Sequence, residues 1–262
     1  MILSGDQFLS ISGLSKSYYA LKAVRSFNAE LKAGCIYGLI GTNGAGKTTV
    51  LNMIAGLEKP SSGSIIFRGS EIAGLPPDKI TRYGIGRTFQ NLRLFSSMTV
   101  LDNVLAASQI SRNYNLVQAV LCTPAFRRED AAQRNRAMEF LSLFNLADAA
   151  GARANSLPYG HQRKLEIARA LATGAKLALL DEPAAGMNPQ ESEELMETIV
   201  KIRDILGVTV LLIEHDMKVV MGICEYIYVM TFGEIIDQGL PGEIVKSKRV
   251  IEAYLGGTAD GA

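Results

Sequence analysis

Gly41-Thr42-Asn43-Gly44-Ala45-Gly46-Lys47-Thr48 decides the fold. The stretch fits G-x-x-x-x-G-K-[ST], a phosphate-binding loop when it lies between a strand and a helix. Both flanks are present. Ile36-Tyr37-Gly38-Leu39-Ile40 is a short apolar run of the buried-strand kind, and Thr48 to Leu57 carries a helical pattern that ends near Gly56. Three glycines let the backbone curl so that its N–H groups face one concavity at the helix N-terminus, where the helix dipole also favours a polyanion. Lys47 adds a mobile positive charge for β- and γ-phosphates, and the Thr48 hydroxyl is placed to ligate Mg²⁺. A Gly-rich turn without a ligand is the competing reading; the lysine, the threonine and both flanks count against it.

Composition bounds the rest. A chain of 262 residues, 48% hydrophobic, can bury a substantial core as one large domain or a domain with a subdomain. Twenty-seven basic residues balance 26 acidic ones, a formal net charge of +1, and no local basic patch stands out, so no nucleic-acid partner is expected. Cys35, Cys122 and Cys224 form neither a C-x-x-C pair nor an even-numbered framework, which points to free cytosolic thiols. No apolar run reaches the roughly 18 residues of a membrane span. Met1 to Ser10 lacks the basic start and cleavage site of a signal peptide. A soluble chain is expected, with a membrane partner left open.

Phe8 to Leu14 and Val24 to Leu31 alternate as half-buried strands do, joined by a turn-like Ser15-Lys16-Ser17-Tyr18-Tyr19. Tyr18 in that connection could stack on a planar ligand ring, although periodicity alone favours a tyrosine packed on the β-layer. Ser64 to Ile72 predicts a hairpin about Arg68-Gly69, and Ile85 to Gln90 a strand ending in a polar residue. Thr99 to Ser111 and Arg128 to Ala147 predict helices; Ser111 to Arg127 gives no clear pattern. Leu157-Pro158-Tyr159-Gly160-His161-Gln162 opens a helix to about Leu171. Another spans Pro189 to about Leu206, and a last strand pair, Tyr226 to Met230 with Glu234 to Gln238, turns at Gly233. The tail from Pro241 ends in the mobile-looking run Gly256 to Ala262.

Two apolar strands end in chemistry. Lys176 to Leu180 closes on Asp181-Glu182-Pro183, and Val208 to Ile213 closes on Glu214-His215-Asp216. The C-terminal ends of strands are the ligand side of an open α/β sheet. In a phosphate-loop enzyme an acid there holds Mg²⁺, which suits Asp181, and a following carboxylate can orient or deprotonate water, which suits Glu182. Two acids that merely cap the next helix are the alternative. A lone histidine such as His215 is more often a packed or solvent-facing side chain; its place on the same sheet edge as Asp181 brings the functional reading level with that one.

These residues resemble an ATP-binding cassette, the motor subunit of an ABC transporter, over essentially the whole chain. The resemblance rests on Gly41 to Thr49, on Thr88-Phe89-Gln90 (the Q-loop), on Leu177 to Glu182 (Walker B), on Ala185-Gly186-Met187-Asn188 (the D-loop) and on His215 (the switch histidine). It implies an α/β fold, a RecA-like P-loop core with an N-terminal antiparallel β-subdomain and an inserted α-helical subdomain. Residues 1–262 then form one cassette: 1–90 and 155–240 the core with the β-subdomain, 91–154 the helical subdomain, and 241–262 a C-terminal tail. The resemblance implies ATP and Mg²⁺ as ligands, with Lys47, Gln90, Glu182 and His215 catalytic and Thr48, Gln90 and Asp181 at the metal. Nucleotide contacts fall to Tyr18, Gly41, Asn43, Gly44, Gly46, Lys47, Thr48, Thr49, Tyr159, Gly160 and His161. The signature, LSGGQ in the family, falls at Leu157 to His161 and has Pro158 at the serine. Proline offers neither hydroxyl nor N–H, so contact with a γ-phosphate bound by another subunit would rest on Gly160 and the helix N-terminus.

Arg87 to Phe95, Asp181 to Pro189, Ile213 to Met217 and Ile251 to Gly256 are similar to the ATPases of branched-chain amino acid importers. Similar motors serve urea and short amides or, more distantly, lipopolysaccharide export. The implied partners are a second ABC ATPase subunit (a homodimer or heterodimer), two transmembrane permease subunits, and a solute-binding protein acting through them. The implied location is peripheral, at the cytoplasmic face of the inner membrane. A soluble cassette acting on nucleic acid or ribosomes would normally carry two cassettes or a long coiled-coil insert, and a nucleotide-binding regulator would lack a base at Glu182.

Overall fold

A computed structural model describes residues 8–109 and 124–255. The middle of the 91–154 insert, with Cys122, and the mobile-looking run Gly256 to Ala262 lie outside the described residues.

The chain opens with strands β1 (Leu9–Tyr18) and β2 (Leu21–Leu31). The expected turn at Ser15 to Tyr19 is therefore corrected: strand continues through Tyr18, and the reversal is confined to Tyr19, at φ 53, and Ala20. Register shifts between Ile11 and Ser17 break the alternation while the pairing Lys16 to Val24 and Tyr18 to Leu21 persists. A bulged strand loses the period-2 signal without losing its neighbours. Strand β3 (Ile36–Gly41), helix α1 (Lys47–Ile54) and the hairpin β4 (Ser62–Phe67) and β5 (Ser70–Glu71) follow. The hairpin turns at Arg68 and Gly69, both at positive φ, as expected.

Helix α2 (Pro77–Tyr83) was not legible, being a single seven-residue piece opened by proline and closed by left-handed Gly84. Strand β6 (Ile85–Arg87) is shorter than expected and stops three residues before Gln90. Then come α3 (Val100–Ser108), α4 (Pro124–Leu143), which starts and ends earlier than its pattern, and α5 (Tyr159–Ala172). Strand β7 (Leu177–Asp181), α6 (Pro189–Leu206), β8 (Thr209–Ile213), α7 (Met217–Ile223), β9 (Tyr226–Thr231) and β10 (Glu234–Gly239) complete the core; α8 (Pro241–Ile244) and α9 (Lys248–Leu255) end it.

Two sheets form. One is antiparallel in the order β2-β1-β4-β5; the other runs β10-β9-β3-β8-β7-β6, parallel except for the β10 edge. Alternate residues of each parallel strand enter separate apolar layers. Leu177 and Leu179 face the layer shared with the antiparallel sheet and with Val50, Leu51 and Ile54 of α1. Ala178 and Leu180 face Leu165, Ala168, Leu195 and Ile199 of α5 and α6. Burial on both faces is why β3, β7 and β8 read as unbroken apolar runs. The register sets Ile213 opposite both Leu39 and Asp181, so the strands before the glycine loop, the acid pair and His215 end at one edge.

Candidate functional site

The phosphate loop is shaped by two close backbone approaches. Gly41, at φ 149, lies where a Cβ would stand 2.0 Å from the Met230 carbonyl oxygen of β9; Gly46, at φ 98, lies where one would stand 2.5 Å from the Ala23 oxygen of β2. Only glycine fits either position. The buried Lys47 folds back over the loop, its Nζ donating to the carbonyls of Gly41 at 2.8 Å and Thr42 at 3.0 Å. Burial lowers its pKa, opposed by the nearby charges of Glu182 and Asp181. Among the described residues no carboxylate lies within ion-pair reach of this ammonium, so a buried cation is held by neutral carbonyls alone. Such a group fits a polyanionic ligand. Asn43, Gly44 and Thr48 are exposed at the same loop.

At the neighbouring strand ends three expected side chains meet. Glu182 Oε2 accepts from Gln90 Nε2 at 3.1 Å, and Oε1 lies 2.7 Å from His215 Nε2. An ionised carboxylate only accepts, so Nε2 of His215 carries the proton in this contact. Glu182 itself sits at φ 49, a conformation that costs a non-glycine residue of the order of 1–3 kcal/mol and that clusters at working sites. Its amide is tied to the Ile213 carbonyl at 3.0 Å, which holds the bend. The arrangement fixes a carboxylate between an amide and an imidazole at the edge facing the phosphate loop. Chemically, it can orient water and take its proton.

Asp181 has a different partner. Its Oδ2 pairs with Arg87 Nη2 at 3.1 Å, and Arg87 Nη1 donates to Asn52 Oδ1 of α1 at 2.6 Å. Burial raises the Asp181 pKa, partly offset by the guanidinium. Arg87, Asn52 and the buried Glu214 are site residues that sequence reasoning missed. Glu214 accepts from the Ala184 amide at 2.8 Å and the His215 amide at 3.2 Å, bracing the two bends that carry Glu182 and His215; burial raises its pKa. A carboxylate beside a candidate histidine was the available signal.

Tyr18 closes β1 and is 37% exposed. Lys16 Nζ lies 5.0 Å from its ring centroid, while its hydroxyl, bonded to Glu58 and Thr49, is pushed up to about 12, chiefly by burial and then by the Glu58 carboxylate. Those partners set it beside α1 rather than in the β-layer core. Tyr159, Gly160 and His161 begin α5, with Pro158 as a cap that offers no side-chain hydrogen bond. Among the described residues no hydrogen bond or ion pair joins them directly to the side chains of Gln90, Glu182 or His215; Tyr159 instead donates to the Ala185 carbonyl at 3.1 Å. Tyr159 also stands where LSGGQ has a glycine and His161 where it has the glutamine, two departures besides Pro158.

A family model described as ABC transporter matches residues 24–185. The high-affinity branched-chain amino acid transport ATP-binding protein LivG of Escherichia coli is 46% identical over 248 residues, 95% of this chain and 97% of that protein. Among solved structures, the ADP conformation of MJ1267, an ATP-binding cassette of an ABC transporter, superimposes with a TM-score of 0.82 at 28% identity, covering 95% of this chain and 99% of that one. A dimeric post-hydrolysis state of the cassette MJ0796 bound to ADP and Pi gives 0.73 at 27%, covering 89% and 98%. The glycine loop with its carbonyl-held lysine and the carboxylate braced at the adjoining strand end are thus set in a fold and a sequence that match cassettes over 95% of the chain: the chain belongs to the ABC transporter family of ATP-binding proteins.

Proposed function

We propose that the chain is the ATP-hydrolysing subunit of a branched-chain amino acid importer, acting at the cytoplasmic face of the membrane as one of two cassettes beneath two permease subunits that a solute-binding protein loads. The convergence of Gln90 and His215 on Glu182 carries the enzymatic part, and the likeness to LivG over 97% of that protein carries the solute. Among the described residues no helix is long and apolar enough to cross a membrane, so translocation would belong to other subunits.

In this reading Lys47 exchanges its loop carbonyls for the β- and γ-phosphates of ATP, while Tyr18 supports the base and Thr49 flanks the loop. Glu182 accepts the proton of the attacking water, and His215 donates from Nε2 to the γ-phosphate. The Thr48 hydroxyl, Gln90 and Asp181 would hold Mg²⁺, Asp181 with its charge already partly balanced by Arg87. Bound there, Mg²⁺ neutralises charge on the phosphate oxygens. Gly160 and the α5 N-terminus cover the nucleotide of the other cassette. The division into a core (1–90, 155–240), a helical subdomain (91–154) and a tail (241–262) belongs to the same proposal.

Glu182→Gln keeps the shape of the side chain and removes its basicity. ATP turnover should fall by about 10²-fold or more with ATP binding retained; turnover at the parent rate would remove Glu182 from its role. Uptake of labelled leucine, isoleucine and valine by cells lacking this gene should drop, and undiminished uptake would reject the solute assignment.

A further inference from the structure

Tyr18, proposed to support the base, is the last residue of β1 and stands next to the chain reversal at Tyr19. Its ring is nonetheless held, by groups that no motif names. Lys16 reaches from β1 to the turn after α1: its Nζ donates to the Lys59 carbonyl at 2.8 Å, pairs with Glu58 Oε2 at 3.1 Å and lies 5.0 Å from the centroid of the Tyr18 ring. Glu58 also accepts from the Tyr18 hydroxyl, and Asn52 of α1 holds the same carboxylate from a third side. Two further bonds fasten the segments, from the Ser17 amide to the Ser61 hydroxyl at 3.1 Å and from the Ser61 amide to the Ser15 carbonyl at 2.8 Å. With side chains 16% and 25% exposed, the Lys16–Glu58 pair is screened less than a surface pair would be. Burial pushes the Glu58 carboxyl up, but Tyr18, Lys16 and Asn52 together outweigh it and hold it below the usual carboxylate range. Tyr18 itself stays exposed.

We propose that Lys16 and Glu58 are positioning residues for the nucleobase: they clamp Tyr18 at its ring and at its hydroxyl, so that a stacking surface is in place before the nucleotide arrives. The inference rests on the reading of the loop as an ATP site. A ring ordered beforehand loses no rotamer freedom on binding, and the saving appears as affinity. Stacking acts on the planar base alone. The saving is therefore absent for a ligand that carries phosphates and no base, whereas an ammonium serving the phosphates would act on both ligands alike.

The test is calorimetric titration of the full chain with ADP and with pyrophosphate, each with Mg²⁺. Neither ligand carries the γ-phosphate at which a second chain's signature would meet the site, so pairing of two chains does not enter the readout. The parent should bind ADP more tightly than pyrophosphate. Glu58→Ala and Lys16→Met should each weaken ADP by about fivefold and leave pyrophosphate unchanged within about twofold. Tyr18→Phe keeps the ring and removes the hydroxyl that Glu58 holds; combined with Glu58→Ala, it should weaken ADP by less than the product of the two single losses. Equal weakening of both ligands overturns the proposal, as does ADP binding at the parent level in either variant, or a double variant that shows the full product. A parent that binds ADP no better than pyrophosphate overturns the role of Tyr18 and the proposal with it. A parent that binds neither overturns the ATP-site reading instead. Should Glu58→Ala unfold, Lys16→Met, which keeps most of the aliphatic stem, decides by the same comparison.

Discussion

Asp181 brings a charge into the sheet and Arg87 balances it, with side chains 3% and 7% exposed. Replacing Arg87 with alanine leaves that carboxylate uncompensated, and urea unfolding should register a loss of about 3–5 kcal/mol. The buried Glu214 predicts a pH effect of definite sign. Its folded pKa is raised, chiefly by burial. The proton is therefore held more tightly in the folded state, so the contribution to stability is full below the unfolded carboxylate value and is lost as pH rises through the folded one. Glu214→Gln has no such proton to release. Its stability relative to the parent should improve from about pH 4 towards neutrality, read as a rising difference in urea midpoints. A flat difference would contradict the burial argument. Lys47 and Glu182 were legible from the phosphate-loop motif and the acid pair at a strand end, whereas Gln90 and His215 took their roles from the resemblance to cassettes. Arg87, Asn52 and Glu214 were not, since a partner 94 or 35 residues away is a fact of folding.

Among the elements, the clearest case is α6. Asn188 accepts from the Glu191 amide at 2.9 Å, and the Glu191 carboxylate accepts from the Asn188 amide at 3.0 Å, a reciprocal cap next to Pro189. Asn188→Ala should cost about 1 kcal/mol in chemical unfolding. A larger penalty belongs to the loop: Gly41→Ala forces a Cβ against the Met230 carbonyl, so β3 and β9 must separate. A loss above about 2 kcal/mol, together with loss of nucleotide binding, is expected. Helix α6 and the Arg68-Gly69 hairpin could be placed from sequence because caps and turn residues are local signals. β1 could not be bounded, because bulges against β2 and β4 erase its alternation. Strand β6 is only three residues long, held by pairing with β7 rather than by its own pattern.

For the whole molecule, the proposed mechanism needs a signature surface from a second cassette, since among the described residues no hydrogen bond or ion pair joins Tyr159 to His161 directly to the side chains of Gln90, Glu182 or His215. ATP should bind the isolated chain, but turnover per chain should rise with chain concentration or on addition of a second cassette subunit; a constant rate per chain would reject the composite site. The sequence by itself determined the phosphate loop, the acid pair, the candidate histidine and an α/β fold. Each is carried by spacing within a dozen residues or by a strand buried on both faces. Tertiary structure alone decided that Gln90, Glu182 and His215 converge, that Arg87 neutralises Asp181, and that Lys16 and Glu58 hold the ring and the hydroxyl of Tyr18. Strand order and register are set by which apolar faces can be buried together, and the distances across them are written in no single stretch of the chain.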